Sequence, residues 1–250
     1  MTETIVITGA GKRIGRTLAL SLAGQGHAIA VHYNRSAGEA EEVVGRIRKA
    51  GGRAAAVGAD LADEDAVATL IPRAADAVGP ITTLINNASL FEQDDVWTAT
   101  RDSWDAHMSV NLRAPFVLTQ ALAKALPKGA SGNVVNIIDH RVWKLNPLFA
   151  TYTLSKAGLW TLTRTLAQAL APRIRVNGIG PGPVLASIHQ TSRTFAAEAD
   201  TVPLGHGPTP EEIAHAVRFI LATPSMTGQM IALDGGQHLA WQTPDLAVSE

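Results

Sequence analysis

The chain has 250 residues, 46% hydrophobic and 17% charged, with a formal net charge of −1 and no cysteine. That length is enough for one sizeable core, and the balanced charge lacks the basic excess that nucleic-acid and membrane-surface binders need, which leaves small molecules as partners. Without cysteine there are no disulfides, thiolate metal sites or thiol nucleophiles, no metal centre is expected, and a Thr2-Glu3-Thr4 start without a leader pattern or any bilayer-length apolar run gives the expectation of a cytoplasmic protein.

Thr4-Ile5-Val6-Ile7-Thr8 reads as a buried strand that breaks into Gly9-Ala10-Gly11-Lys12-Arg13-Ile14-Gly15 and then into a helical pattern through Leu18, Leu20 and Leu22. Strand, glycine loop and helix open a dinucleotide fold. Glycines let the backbone approach a pyrophosphate, and the helix N-terminus offers free N–H groups and the positive end of its dipole. The spacing is Gly-x-Gly-x-x-x-Gly, one residue longer than the common fingerprint. A second strand over residues 27–33 ends in Asn34-Arg35-Ser36, where an NAD-binding chain would carry Asp or Glu for the ribose 2′-hydroxyl. Arg35 and Ser36, with Lys12 and Arg13 nearby, suit a 2′-phosphate, so NADP is expected over NAD.

Helical periodicity over residues 39–49 leads to a strand over 53–58 and then to Asp60-Leu61. Asp60 either meets the adenine edge or is a turn residue, and Asp63 is placed to cap the helix that runs to Val78. Gly79-Pro80 ends that helix, and a fourth strand over 81–85 runs into Asn86-Asn87-Ala88-Ser89-Leu90-Phe91, whose small and amide side chains allow close packing against a ribose. Phe91 either stacks on a flat ligand or caps the core. A long helix is expected over residues 101–126, with Asn111 midway, where an asparagine signals a polar duty or a kink.

A fifth strand leads through Val134-Val135-Asn136-Ile137-Ile138 to Asp139, and strand C-termini face the ligand crevice in an open α/β sheet. Asp139 lies thirteen residues before Tyr152, and Tyr152 and Lys156, four apart, share one helical face. An ammonium beside a phenol favours the phenolate, so a group with a pKa of about 10 is brought toward working pH. The Tyr152 helix is expected to reach about Pro172, followed by a strand over 174–179 and by weak periodicity that reads as a substrate loop or lid over 181–209. A helix over 211–221 and a strand from Gln229 close a single domain: a doubly wound Rossmann fold, seven parallel strands with helices on both faces.

Thr8-Gly9 through Gly15, Asp60, Asn86-Asn87-Ala88, Asn111, Tyr152-x-x-x-Lys156 and Pro181-Gly182, in this order, resemble the short-chain dehydrogenase/reductase family over essentially the whole chain. The family usually has serine where this chain has Asp139. That aspartate, together with Gly11-Lys12-Arg13-Ile14-Gly15-Arg16, His32-Tyr33-Asn34-Arg35-Ser36-Ala37, Asn87-Ala88-Ser89-Leu90-Phe91 and the Asn111 to Phe116 string, is similar to the pteridine reductases, and bacterial dihydromonapterin reductases share the aspartate. The segment after Val184 departs most from that pattern and is shorter.

The resemblance implies NADPH-dependent reduction of a pterin ring. Lys156 would hold the nicotinamide ribose and lower the Tyr152 pKa, Asn111 would anchor a water leading to Lys156, and Asp139 with Tyr152 would deliver protons to ring nitrogens. Gly9, Gly11, Lys12, Arg13, Ile14, Gly15, Tyr33, Asn34, Arg35, Ser36, Asp60, Leu61, Asn87, Ala88, Ser89, Pro181, Gly182 and Val184 would join Tyr152 and Lys156 around the cofactor. Arg13, Ser89, Phe91, Asp139 and Tyr152 would hold the substrate, with Phe91 sandwiching the pterin against nicotinamide. A homotetramer or dimer is implied too, through the helices from Arg101 and Thr151, with Trp241 joining a neighbour. Two rivals share the fold: a reductase of ketones or keto-acyl chains, which would normally keep serine at 139, and a non-catalytic NADP-sensing protein, which needs no proton donor.

Overall fold

Strand β1 (Thr4–Ile7) is flanked in the sheet by β2 (Ala28–Tyr33) and β4 (Thr83–Asn86), so the winding direction reverses there, in a computed structural model that describes residues 2–186 and 190–241. Strands β3 (Ala54–Gly58), β5 (Gly132–Ile137), β6 (Ile174–Pro181) and β7 (Met230–Leu233) complete one seven-stranded sheet in the order β3-β2-β1-β4-β5-β6-β7. Every pairing is parallel, with Val6 opposite both Ala30 and Leu84. A reversal of this kind opens a crevice beyond the strand C-termini.

Side chains alternate across a strand, and this alternation builds two cores. Ile5 and Ile7 pack with Leu18 and Leu22 of α1 (Arg13–Ala23), Val43 and Ile47 of α2 (Ala37–Lys49) and Val217 of α8 (Pro210–Ala222). Val6 faces the opposite layer, with Leu70 of α3 (Glu64–Val78), Leu118 of α5 (Ala114–Ala125) and Leu166 of α6 (Ala150–Leu170). Strands buried on both faces read as continuous apolar runs, which is why the sequence marks them well. Asp63 caps α3 as expected, accepting from the N–H groups of Asp65 and Ala66.

Three expectations need correction. The helix over 101–126 is interrupted: α4 (Arg101–Met108) passes into a π-helical turn, Ser109–Arg113, before α5, so the kink falls at Asn111. Within the expected lid, α7 (Ser192–Asp200) forms behind a capping box in which Thr191 and Thr194 bond each other's backbone N–H. It buries none of its residues, so it leaves no apolar periodicity to read, and residues 187–189 of the same stretch lie outside the described residues. Asp139 is not the last residue of its strand; β5 ends at Ile137, and Asp139 caps a short 3-10 turn, His140–Val142. Among the described residues no helix is long and apolar enough to cross a membrane.

Candidate active site

A cavity of about 1130 Å³ runs along the C-terminal edge of the sheet, and all the expected cofactor and substrate residues line it except Gly11. Gly11 is buried against the start of α2, where a Cβ would come within 3.2 Å of the Ala40 nitrogen. Asn111, expected to be catalytic, lies behind the wall.

The glycine loop is held from beneath. Gly9 takes φ +64°, a region open to glycine, and its N–H donates to Nδ1 of His32 at 3.1 Å. An amide can only donate, so Nδ1 is the acceptor and Nε2 carries the proton, which it gives to the Ala59 carbonyl at 3.1 Å. Burial pushes the His32 pKa down to about 4 and fixes it as a neutral imidazole. Thr8 Oγ1 accepts from the N–H groups of Asn87 and Ala88, both at 2.9 Å, and Asn87 Nδ2 donates to the carbonyls of Thr8 and Gly9 at 2.8 and 3.2 Å. A Cβ on Gly15 would overlap the Gly9 carbonyl and crowd Asn87 Nδ2, so this position admits only glycine.

At the adenosine end, Arg35 is exposed and Ser36 begins α2 without using its hydroxyl as a cap. Lys12 forms a solvent-exposed pair with Glu39 at 2.6 Å, a contact of little energetic weight. Arg13 is the one non-glycine residue with positive φ (51°) among the described residues, and its guanidinium donates to the carbonyls of Ala186 and Leu185 at 2.7 and 3.1 Å. It therefore ties the glycine loop to the segment that follows Val184. Asp60 closes a turn by accepting from Ala62 N–H at 2.9 Å, on the rim of the crevice.

Asp139, Tyr152 and Lys156 converge below this cleft. Tyr152 Oη donates to Asp139 Oδ2 at 2.7 Å. The carboxylate also receives the Arg141 backbone N–H at 2.8 Å on Oδ1 and Arg141 Nη1 at 3.3 Å on Oδ2, while His140 Nδ1 lies 3.1 Å from Oδ1 and 3.1 Å from the Pro181 carbonyl. Burial by itself would raise the Asp139 pKa, but the His140 hydrogen bond and the Arg141 charge outweigh it and hold the group at about 2. Tyr152 moves the other way: burial first, then the Asp139 charge and hydrogen bond, raise its pKa well above the usual phenol value.

The lowering of the Tyr152 pKa by Lys156 is therefore not what this geometry gives. Lys156 Nζ sits 5.8 Å from the phenol ring centroid and donates to the Ile137 carbonyl at 2.9 Å, and burial lowers its own pKa to about 8, opposed by the Asp139 charge. The nearer charge, Asp139, prevails. Nor is Asp139 a proton donor here, because it is ionised and accepts from every neighbour.

Asn111 holds the wall behind this cluster. Its Oδ1 accepts from Leu90 N–H (2.8 Å) and Ser89 Oγ (3.2 Å), and its Nδ2 donates to the Leu90 carbonyl (2.9 Å) and Ser155 Oγ (3.0 Å). These four bonds fill the amide's capacity, so a water anchored by Asn111 would have to use its backbone carbonyl, which lies in the π-helical turn with Pro115, lacking an N–H, four residues on. Its role here is to pin the Ser89–Leu90 loop to α6. Phe91 lies in the crevice wall, stacked on Phe149 (centroids 4.7 Å, 8° apart) and edge-on to Tyr152 at 4.8 Å, so one of its faces is already covered.

Sequence reasoning overlooked several residues. His140 and Arg141 come within four residues of a strand end, a position that could have marked them as crevice groups. Asp94 left no local signal. It caps α6 from outside, its carbonyl accepting Ala150 N–H at 3.0 Å and its carboxylate accepting Thr151 N–H at 3.0 Å, where the helix's own cap residue, Phe149, offers no side-chain bond. Thr151 Oγ1 in turn lies 2.7 Å from His107 Nδ1.

A sequence profile described as short chain dehydrogenase matches residues 3–197. The chain is 50% identical to the crystal structure of FolM alternative dihydrofolate reductase 1 from Brucella suis in complex with NADP, covering 97% of this chain and 98% of that one at a TM-score of 0.95. The corresponding Brucella canis protein, also with NADP, is 49% identical at a TM-score of 0.92, over 98% of this chain and 97% of the other. A 3-oxoacyl-[acyl-carrier-protein] reductase from Synechocystis sp. is 34% identical over 94% of this chain and 96% of its own length.

Proposed function

The chain belongs to the short-chain dehydrogenase/reductase family and is an NADPH-dependent oxidoreductase, and we propose that it reduces a dihydropterin ring to the tetrahydro form. The cofactor fits the residues present. Gly9 and Gly15 line the crevice with backbone packed too closely for a Cβ, and the end of β2 offers the Arg35 guanidinium and the uncommitted Ser36 hydroxyl, while the nearby Glu39 carboxylate is paired with Lys12. NADPH, when bound, supplies the hydride.

Asp139 carries the reading of the substrate. It is a buried, ionised carboxylate hydrogen-bonded to the tyrosine that must give up a proton. While Asp139 keeps its full charge, Tyr152 is a reluctant acid. A substrate with ring N–H groups can donate to Asp139, spread that charge, and so release the Tyr152 proton to a ring nitrogen. A keto-acyl chain offers the carboxylate no N–H at the reacting group. Similarity to 3-oxoacyl reductases supports keto-acyl reduction as the rival, and the two FolM relatives support the pterin.

Arg13, Ser89 and Phe91 remain substrate residues in this proposal, Phe91 through the face that Phe149 does not cover. The α4–α5 and α6 surface carries an apolar groove lined by Met108, Leu112, Phe116 and Leu162, which we assign to self-association into a dimer or tetramer. The deciding experiment is NADPH oxidation measured with dihydrobiopterin, dihydromonapterin, dihydrofolate and a keto-ester side by side. Turnover confined to the keto-ester would overturn the pterin reading.

A further inference from the structure

An ionised carboxylate has about four acceptor positions; three protein groups hydrogen-bond to Asp139, and His140 Nδ1, which bonds the Pro181 carbonyl, faces the fourth at 3.1 Å. Oδ1 faces the Arg141 N–H and His140 Nδ1, and Oδ2 faces Tyr152 Oη and Arg141 Nη1. A substrate N–H that approaches Asp139 meets one of these groups and competes with it. The Arg141 N–H is fixed by the turn that Asp139 caps, and the Tyr152 hydroxyl is needed for proton transfer. His140 has the Pro181 carbonyl as a second partner but is held in a nearly fully buried site.

Arg141 Nη1 makes the longest contact of the four, 3.3 Å, and in the same position its guanidinium has aromatic partners as well. It lies 5.3 Å from the Phe91 ring centroid and 5.0 Å from that of Phe149, so cation–π attraction adds to its bond with Asp139. Its Nε is buried with no hydrogen-bond partner, so the present arrangement does not satisfy the group fully.

We propose that Arg141 is a positioning residue for the reaction: it keeps Asp139 charged and aimed at Tyr152, and cedes its place on Oδ2 to a substrate N–H while remaining on the Phe91–Phe149 stack. This rests on the pterin reading for the identity of the incoming N–H but not for the hold on Asp139 itself. The groups facing Asp139 are His140 and Arg141 from the 3-10 turn and Tyr152 and Lys156 from α6. Removing the Arg141 charge leaves burial opposed by His140 as the main lowering influence, so the carboxyl should titrate upward from about 2.

The test follows the Asp139 carboxyl directly, by ¹³C NMR of aspartate-labelled full-length protein against pH, with Asp139→Asn to assign the resonance. Arg141→Gln removes the charge and Arg141→Lys keeps it, while a melting curve and an NADPH titration establish that each variant is folded. In Arg141→Gln the Asp139 titration should move up into the ordinary carboxylate range or above, and Arg141→Lys should restore most of the shift. The acid limb of kcat should move up with it, and kcat should fall roughly 10- to 100-fold, as for a lost charged hydrogen bond. An unchanged Asp139 titration in folded Arg141→Gln overturns the proposal. Wild-type protein that shows the low titration but reduces no pterin refutes the proposed function instead.

Discussion

Acid should weaken the glycine-loop end of the sheet through His32 before it reaches the Asp139 carboxylate. The imidazole is 1% exposed, accepts from Gly9 N–H, and has a folded pKa of about 4 against 6.5 in the unfolded chain. A depressed folded value means that the unfolded chain binds the proton first. The stability contributed by neutral His32 is therefore complete above pH 6.5 and is lost as pH falls toward 4. Two and a half units at about 1.36 kcal/mol each amount to roughly 3 kcal/mol, a large share of a domain's net stability. His32→Asn retains an acceptor near the Nδ1 position but does not titrate across this range. Urea unfolding of both proteins at pH 7.5, 5.5 and 4.5 isolates the histidine, because His27 and Asp139 contribute equally to each. The wild type should lose about 2.5 kcal/mol more than the variant between pH 7.5 and 4.5, the rest following below pH 4, and its NADPH affinity should fall over the same interval as Gly9 loses its acceptor. Parallel stability curves would refute the assignment of His32 as the buried neutral support of the loop.

Arg35→Ala should remove most of the preference for NADPH over NADH, since a charged hydrogen bond to the 2′-phosphate is worth about 1.5 to 3 kcal/mol; equal kcat/KM with both cofactors in the unmutated protein would contradict that. Asp139→Ser should lower pterin turnover by about 10- to 100-fold, as for a lost charged hydrogen bond to the substrate N–H, while leaving the NADPH titration nearly unchanged, and full pterin activity in the folded variant would sink the pterin reading. Phe116→Glu, in the apolar groove beside α6, should shift light scattering from dimer or tetramer to monomer, and a wild-type monomer at micromolar concentration would rule out self-association there.

The strands, the glycine loop and the Tyr152–Lys156 pair were legible because each depends on local pattern: continuous apolar runs, a turn that excludes Cβ atoms, and one helical face. What escaped the sequence was long-range or electrostatic. Helix α7 buries none of its residues and reaches the crevice only at its rim through Phe195 and Glu198, so it carries no core-facing stripe to read. The cap of α6 comes from Asp94, 57 positions before Thr151, and no window around Phe149 contains it. His32 sits in an ordinary apolar strand, and only the pairing of β2 beside β1 brings it beneath Gly9. The direction of the Tyr152 pKa shift was misjudged for a similar reason: sequence spacing places Lys156 near the phenol but cannot say that Asp139 bonds it while the ammonium bonds Ile137.

That same contact explains how one scaffold can serve two chemistries. A phenolate formed 2.7 Å from an ionised carboxylate costs about 6 kcal/mol at an effective dielectric constant near 20, or about four powers of ten in rate if nothing offsets it. With serine at this position, as the family usually has, the phenol would have a neutral neighbour and no such penalty. With Asp139 the acid strength of Tyr152 depends on whatever neutralises the carboxylate at the moment of transfer. His140 and Arg141 do so in part, and their hold leaves the phenol pKa raised all the same. On the proposed pterin reading the remaining neutralisation would come from the substrate, since a ring presenting N–H groups can supply it where a ketone does not. Selection in this site then acts through the proton donor's acidity as well as through the shape of the crevice, and it requires Asp139 to remain an acceptor throughout.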